Sequence, residues 1–345
     1  MKRVYFVAGL GVLVGSFFGL ASCGEDNTTT PVGTKDTGVA GDSIATGDEG
    51  TGGDSAMGGD TPKTETSTGG CPATLKEGSV KELRDPASAK KVIVNDGVKI
   101  AGAVVTSIKW RTQTPNDAMD PCIFSIFIAD PNATFSAWSG IQVIAYGDKP
   151  VAVDGGRFTC DTDKDKIPND IKVGDIITVS GTYKEFGASA ASCGKATPML
   201  PPPNPEKMPQ LQACDIVKTG TGTVPAPAAV APADIAQGAP NTQWAGGRVK
   251  IGPVTADSDL TFGGFVVKGS TLVVSNDIYY RGAATSPTVK KGDTFDEIVG
   301  LSMLDFCTWS LEPSQCSDMK PSAGSGAKCP AATGTDAGTD VGGGG

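Results

Sequence analysis

Val98-Lys99-Ile100-Ala101-Gly102-Ala103-Val104-Val105-Thr106 is the stretch on which the fold turns. Apolar residues alternate with others, β-branched residues close it, and one glycine sits inside. That pattern predicts a half-buried strand with a bend at Gly102. Working outward, Ile123 to Ala129 predicts a second strand and Gly140 to Tyr146 a third. Ile176 to Tyr183 predicts a fourth, entered through the turn Lys172-Val173-Gly174-Asp175, and Leu211 to Val217 a fifth. No long stretch carries apolar residues at helical period, so the expected class is all-β.

Five strands of this length, with a glycine kink in the first, suit a small closed barrel of the OB type. The second half repeats the plan. Arg248-Val249-Lys250-Ile251-Gly252-Pro253-Val254-Thr255 echoes the first strand. Phe265-Val266-Val267-Lys268 and Leu272-Val273-Val274-Ser275 predict strands two and three, and Lys290-Lys291-Gly292-Asp293 repeats the Gly-Asp turn before Glu297 to Leu304. Val224 to Ala233, rich in Pro and Ala, predicts an ordered connection between the halves. The expected architecture is two OB-like small β-barrels in tandem after a disordered tether, with a first domain at 71–222 and a second at 223–319.

The flanks read differently. Lys2 and Arg3 precede an uncharged apolar run from Val4 to Leu20, and Leu20-Ala21-Ser22-Cys23 follows at once. A positive start, an apolar core and small residues before a cleavage point make a secretory signal over residues 1–22. The cysteine after the small residues resembles the lipobox of bacterial lipoproteins. That resemblance implies acylation of Cys23 and anchoring to membrane lipid, each buried methylene contributing about 0.8 kcal/mol. Gly24 in place of an aspartate points to the outer membrane. Residues 23–70 are nearly all Gly, Thr, Asp, Ser and Ala after the cysteine, too poor in apolar area to offset ordering entropy, and are expected to be a tether. Residues 320–345 are similar and are expected to be a disordered tail.

Composition removes whole classes of chemistry. The 345 residues contain no histidine, which excludes Ser-His-Asp and Cys-His catalysis and most zinc sites. Nine cysteines in an exported chain read as disulfides. With Cys23 set aside, Cys71, Cys122, Cys160, Cys193, Cys214, Cys307, Cys316 and Cys329 remain, an even number with no C-x-x-C pair. Loop proximity suggests Cys122 with Cys160, Cys193 with Cys214, Cys307 with Cys316, and Cys71 with Cys329. Of the net charge of −9, residues 24–70 hold two lysines against nine acids. The folded part is nearly balanced and offers no basic field for a phosphate backbone, so nucleic acid is a disfavoured partner.

Two constellations are candidate sites. In Asp161-Thr162-Asp163-Lys164-Asp165-Lys166-Ile167-Pro168-Asn169-Asp170, alternate carboxylates and a seventh-position carbonyl resemble calcium loops. Asp161, Asp163, Asp165 and Asp170 would give side-chain oxygens and Ile167 its carbonyl. Lys166 replaces the turn glycine and Lys172 stands where an EF-hand places its bidentate glutamate, so a solvated polar loop is the competing reading. The second constellation is a ligand face. In the second strand Phe124, Ile126 and Ile128 share one side and Phe127 the other. In the third, Ile141, Val143 and Ala145 share one side and Ile144 and Tyr146 the other. Phe127, Tyr146 and Trp138, with Trp110, are candidates for stacking a ligand on that face. The competing reading, which is favoured, packs them against the second half or against a loop. No nucleophile elbow, P-loop or dinucleotide fingerprint is present, so no enzyme is expected.

Several stretches together resemble a family of exported tandem OB-fold modules, found in lipoproteins of Gram-negative bacteria and ahead of the catalytic domain of some secreted nucleases. They are Val80-Lys81-Glu82-Leu83-Arg84-Asp85-Pro86, Val104-Val105-Thr106, Phe127-Ile128-Ala129-Asp130-Pro131, Ser139-Gly140-Ile141-Gln142-Val143 and Val173-Gly174-Asp175 through Thr182. Trp244-Ala245-Gly246-Gly247-Arg248-Val249 and Gly263-Gly264-Phe265-Val266-Val267 extend the likeness into the second half. The resemblance implies turns, kinks and core positions and no catalytic residue. The expected function is a non-catalytic binding or scaffold module on an anchored lipoprotein, with a protein or glycan partner. A nucleic-acid-binding accessory is the first alternative and a metal-dependent hydrolase the second.

Overall fold

The structure is a computed structural model. It describes residues 70–113, 121–153, 157–160, 164–187, 207–237, 241–260, 264–275, 278, 287–305 and 308–328. Cys23, the tether, Asp161, Asp163, Cys193, Cys307 and Cys329 lie outside the described residues.

The described chain is all-β apart from short helical turns, and its strands fall into two main sheets and a small hairpin. The first part runs β1 (Lys76–Glu77), α1 (Val80–Arg84), β2 (Gly97–Val105), β3 (Trp110–Gln113), β4 (Ile123–Ala129), β5 (Gly140–Tyr146), β6 (Val151–Val153), β7 (Arg157–Thr159), β8 (Asp175–Phe186) and β9 (Met208–Thr221). The second runs β10 (Ala228–Ala229), β11 (Arg248–Ile251), β12 (Val254–Thr255), β13 (Phe265–Val266), β14 (Val273–Val274), β15 (Thr294–Asp305), β16 (Thr308–Glu312) and β17 (Met319–Pro321). The five strands expected of the first half are β2, β4, β5, β8 and β9. The short β3, which pairs with β4, was not legible in the sequence.

In the first sheet β2 pairs antiparallel with β8, β8 with β9, β4 with β5, and β5 parallel with β9. One further pairing, Val104 with Ala129 and Val105 with Ile128, brings β2 back to β4. The pairings therefore return to the strand they started from. The second sheet repeats this order. β11 and β12 pair with β15, β15 with β16, β16 parallel with β14, and β14 with β13. The bridge of Ala256 with Val267 then connects the end of β12 to the end of β13. A short parallel lead-in strand opens each part, β1 beside β2 and β10 beside β11.

The two first strands bend for the same physical reason. Val98 and Ile100 point into the first core, but after the bulge between Ala101 and Ala103 it is Ala103 and Val105 that do so. One extra residue shifts the two-residue period by one. In the second part Val249 and Ile251 point inward, Gly252-Pro253 intervenes, and then Val254 and Ala256 point inward. The Gly-Asp turn also recurs. Gly174 and Gly292 both have positive φ, 92° and 94°, which a side chain would strain. Asp175 and Asp293 are buried and accept the N–H of Lys172 and Lys290 at 2.8 and 2.7 Å.

Each sheet has its own core, and a third apolar cluster joins them. Trp110, Phe127 and Met208 of the first part pack with Ala245, Ile278, Leu301, Met303, Leu304 and Trp309 of the second. Gly140 and Gly246 meet backbone to backbone there, and a Cβ on Gly140 would overlap the Gly246 carbonyl. Arg84, buried at the end of α1, donates to the carbonyls of Thr242 at 2.6 Å and Ala245 at 2.8 Å, and also to that of Gly140.

The disulfides correct two expected pairings. Cys122 is joined to Cys160, as loop proximity suggested. Cys214 is joined to Cys71, not to Cys193, and Cys71 is therefore not the partner of Cys329. The reason is local: Cys214 is the extra residue where Ser180 pairs with Asp215 and Gly181 with Ala213, and a bulge re-aims its side chain. Cys316 is also disulfide-bonded, and its expected partner Cys307 lies outside the described residues. The expected tail begins too early. β17 pairs with β15, Gly326 N–H donates to Asp293 at 2.8 Å, and Lys328 bridges Thr288.

Candidate functional site

The Asp-rich loop is pinned to the first core by Ile167 and Ile171, both buried. Pinning them draws Asp165 inward, leaving its side chain with no exposed surface. One oxygen of Asp165 accepts the N–H of Ile167 at 2.7 Å. The other lies 2.7 Å from Nζ of Lys109, the residue before β3, whose side chain is itself only 11% exposed. The same ammonium donates to the Ile167 carbonyl and to Oδ1 of Asn169, each at 2.7 Å. It also lies 5.0 Å from the centre of the Phe124 ring. A lysine has three N–H donors, and here three oxygens converge on them. Burial is the largest influence on Asp165 and pushes its carboxyl above the ordinary value, with Lys109 opposing.

Two of the oxygens expected to face calcium thus face Lys109. Asp165 and the Ile167 carbonyl are engaged by the ammonium, Asp170 is exposed, and Asp161 and Asp163 lie outside the described residues. A cation cradle already containing a fixed positive charge does not fit a divalent ion without expelling that charge. Lys109 and Asn169 went unread as site residues because the spacing of the loop says nothing of a lysine some sixty positions earlier.

The three ligand-face candidates are not brought together. Phe127 is fully buried in the cluster between the two parts and stacks on Trp110, ring centres 5.2 Å apart. It cannot stack a base or sugar in this arrangement, because Leu301, Met303 and Trp309 belong to the cluster that covers it. Beside it a polar row is satisfied internally. Gln210 Nε2 donates to Gln142 Oε1 at 2.7 Å, Gln142 Nε2 to Ser125 Oγ at 2.9 Å, and Ser125 Oγ to the Val143 carbonyl at 3.1 Å. Trp138 precedes β5 with φ of 68°, donates its N–H to the Gln243 carbonyl and lies under the Arg84 guanidinium, 5.7 Å away. Tyr146 ends β5 and is 40% exposed. At about 3.3 Å per residue the length of β5 separates these two aromatics by roughly 20 Å or more.

The motifs of the family resemblance prove to be joints. Asp130 of the Phe127-to-Pro131 stretch accepts the N–H groups of Val80 and Lys81 at 2.7 and 2.9 Å, capping α1 of the other motif. Ser79 and Glu82 complete a capping box there. Among the described residues, a crevice lined by Leu260, Phe265, Val274, Pro287 and Met319 encloses only about 10 Å³, less than a drug-sized ligand needs. No protein-family profile matches the chain, and no curated protein is significantly similar to it.

Proposed function

We propose that the chain is an exported lipoprotein, anchored at the outer membrane through acylated Cys23, whose two rings of paired strands are OB-like barrels acting as one non-catalytic binding or scaffold module. The strand order supports the barrel reading: first to second, second to third, third parallel to fifth, fifth to fourth and fourth back to first, in both parts. Disulfides suit an oxidising compartment, and no helix among the described residues is long and apolar enough to cross a membrane.

The observation that carries the scaffold reading is the burial of the Trp110–Phe127 face under the second part. The face that OB folds use for oligomers is spent on holding the two parts together, which leaves the outer surface to a protein or glycan partner. The loop at Asp165 is held by Lys109 in place of calcium. A nucleic-acid accessory is the second reading. It has the weaker support because its stacking platform is covered and the folded part lacks a basic excess.

Metabolic labelling with an alkyne fatty acid tests the anchor. The wild-type chain takes up label and Cys23→Ser does not; an unlabelled wild-type chain would remove the lipoprotein reading. Anisotropy of a fluorescent oligothymidine at low salt separates the two functions. No binding is expected, and salt-sensitive binding would favour the nucleic-acid reading.

A further inference from the structure

We propose that Lys109 and Asn169 become joined by an intramolecular isopeptide bond, formed without any cofactor and with the Asp165 carboxylate moving the protons. Three groups that such a bond requires lie together. The nucleophile is Lys109 Nζ, the electrophile is the side-chain amide of Asn169, and the proton carrier is a carboxylate with no exposed surface. Nζ sits 2.7 Å from Asn169 Oδ1 and 2.7 Å from Asp165 Oδ2. With an ordinary C=O length, the amide carbon then lies about 3.5 Å from Nζ, at the edge of near-attack range.

The surroundings of Lys109 and Asp165 favour the reaction over a simple hydrogen bond, while Asn169 reaches in from an exposed position on the loop. Phe124 and Ile167 cover the Lys109 ammonium, and Ile167 orients both partners, giving its N–H to Asp165 and its carbonyl to Nζ. An amine freed of its proton beside a buried carboxylate, away from most water, is a competent nucleophile. The atoms balance. Lys109 begins as an ammonium and passes a proton to Asp165. Nζ then adds to Asn169 Cγ. The Cγ–Nδ2 bond breaks as the adduct collapses, and Nζ loses a second proton. Both protons leave with the departing nitrogen as ammonium, and Asp165 is again a carboxylate. Nothing is oxidised or reduced, and the charge is unchanged.

The product would tie the segment before β3 to the loop before β8 by a covalent bond spanning 60 positions. Together with Cys122–Cys160 it would fasten this end of the first part against unfolding. Such a bond survives reduction, which the disulfides do not.

Peptide mapping of the full exported chain, reduced and digested with trypsin, tests this. The expected result is a branched peptide containing both Lys109 and Asn169, lighter than its two parts by one ammonia, and no cleavage after Lys109. Asn169→Ala, which keeps the Lys109–Asp165 pair and so the fold, yields two linear peptides. Asp165→Asn also leaves them linear; efficient linkage in that variant would remove Asp165 from the mechanism. A linear wild-type Lys109 peptide overturns the proposal. So does ammonia loss confined to a linear peptide around Asn169, which marks a cyclic imide formed with Asp170.

Discussion

The two parts of the molecule share a strand order but not strand lengths, and the contrast separates what fixes topology from what makes a surface. In the first part β4 and β5 are seven residues each. Their counterparts β13 and β14 are two residues each. The long pair has a broad outer face with Phe127, Gln142 and Ser125. The short pair has room for little beyond Val266 and Val273. What both parts keep is the lead-in strand, the one-residue phase shift in the first strand and the buried aspartate of the Gly-Asp turn. Connection order is therefore set by a few turn and bend residues, whereas face area is set by how many residues follow them. The broad face of one part is buried by the β15–β16 end of the other, so the asymmetry is itself what unites them.

The comparison can be broken most forcefully at the shared cluster. Trp309→Ala should cost about 3–5 kcal/mol and, by denaturant titration, turn one cooperative transition into two. A loss under about 1 kcal/mol would mean that the parts stand independently. Next comes Lys109→Met, measured in the Asn169→Ala background so that no isopeptide bond contributes, which strands the buried Asp165 charge. The expected loss is about 3 kcal/mol, the lower end for a broken buried pair because Asp165 keeps the Ile167 N–H. Added calcium should leave the wild-type midpoint unmoved, and a rise would restore a metal to the loop.

Gly174→Ala and Gly292→Ala sharpen the likeness. Each should lose about 1–2 kcal/mol, the usual cost of a side chain at positive φ, with Gly174→Ala the larger because its Cβ would meet the Gly222 carbonyl oxygen at 3.2 Å while a Cβ at Gly292 meets open space. A larger loss at Gly292 would show that the turns are alike in shape only.

The smallest effect distinguishes two carboxylates, one in each part, by the sign of their pH response. Glu297 lies between Lys320 and Lys250, at 2.5 and 2.9 Å, and these lysines hold its carboxyl below the ordinary 4.5. Its contribution is present above that value and lost as pH falls through the folded pKa. Glu297→Gln should therefore flatten the acid limb of stability, by about 0.5 kcal/mol for a partly exposed pair. Asp165 of the first part is raised by burial, so its contribution runs the other way: present in acid and lost as pH rises through its folded pKa. Asp165→Asn should remove that opposite slope.

The strands of the first part were legible because the alternation in β2 and the short apolar runs of β4 and β5, buried on both faces, each mark a strand directly. Ile123 to Ala129 and Gly140 to Tyr146 were read to the residue. β8 and β9 run beyond their expected ends, to Phe186 and Thr221, because each supplies the other's hydrogen bonds past the point where burial stops. β3 is too short to show a period, and β16 begins only three positions after β15 ends. The candidate site was half legible. The loop and its buried carboxylate were visible, but the cation they meet was not.

The sequence by itself determined the all-β class, the repeated succession of strands along the chain, the turns at Gly174 and Gly292, and the exclusion of histidine chemistry, because each is written in local pattern or composition. Only the tertiary structure decided that Cys214 meets Cys71, that Phe127 lies beneath Trp309's cluster, and that Lys109 meets both Asp165 and Asn169. Those are meetings of residues far apart in the chain. Bulges and the packing of one sheet on another set them, and no local period records either.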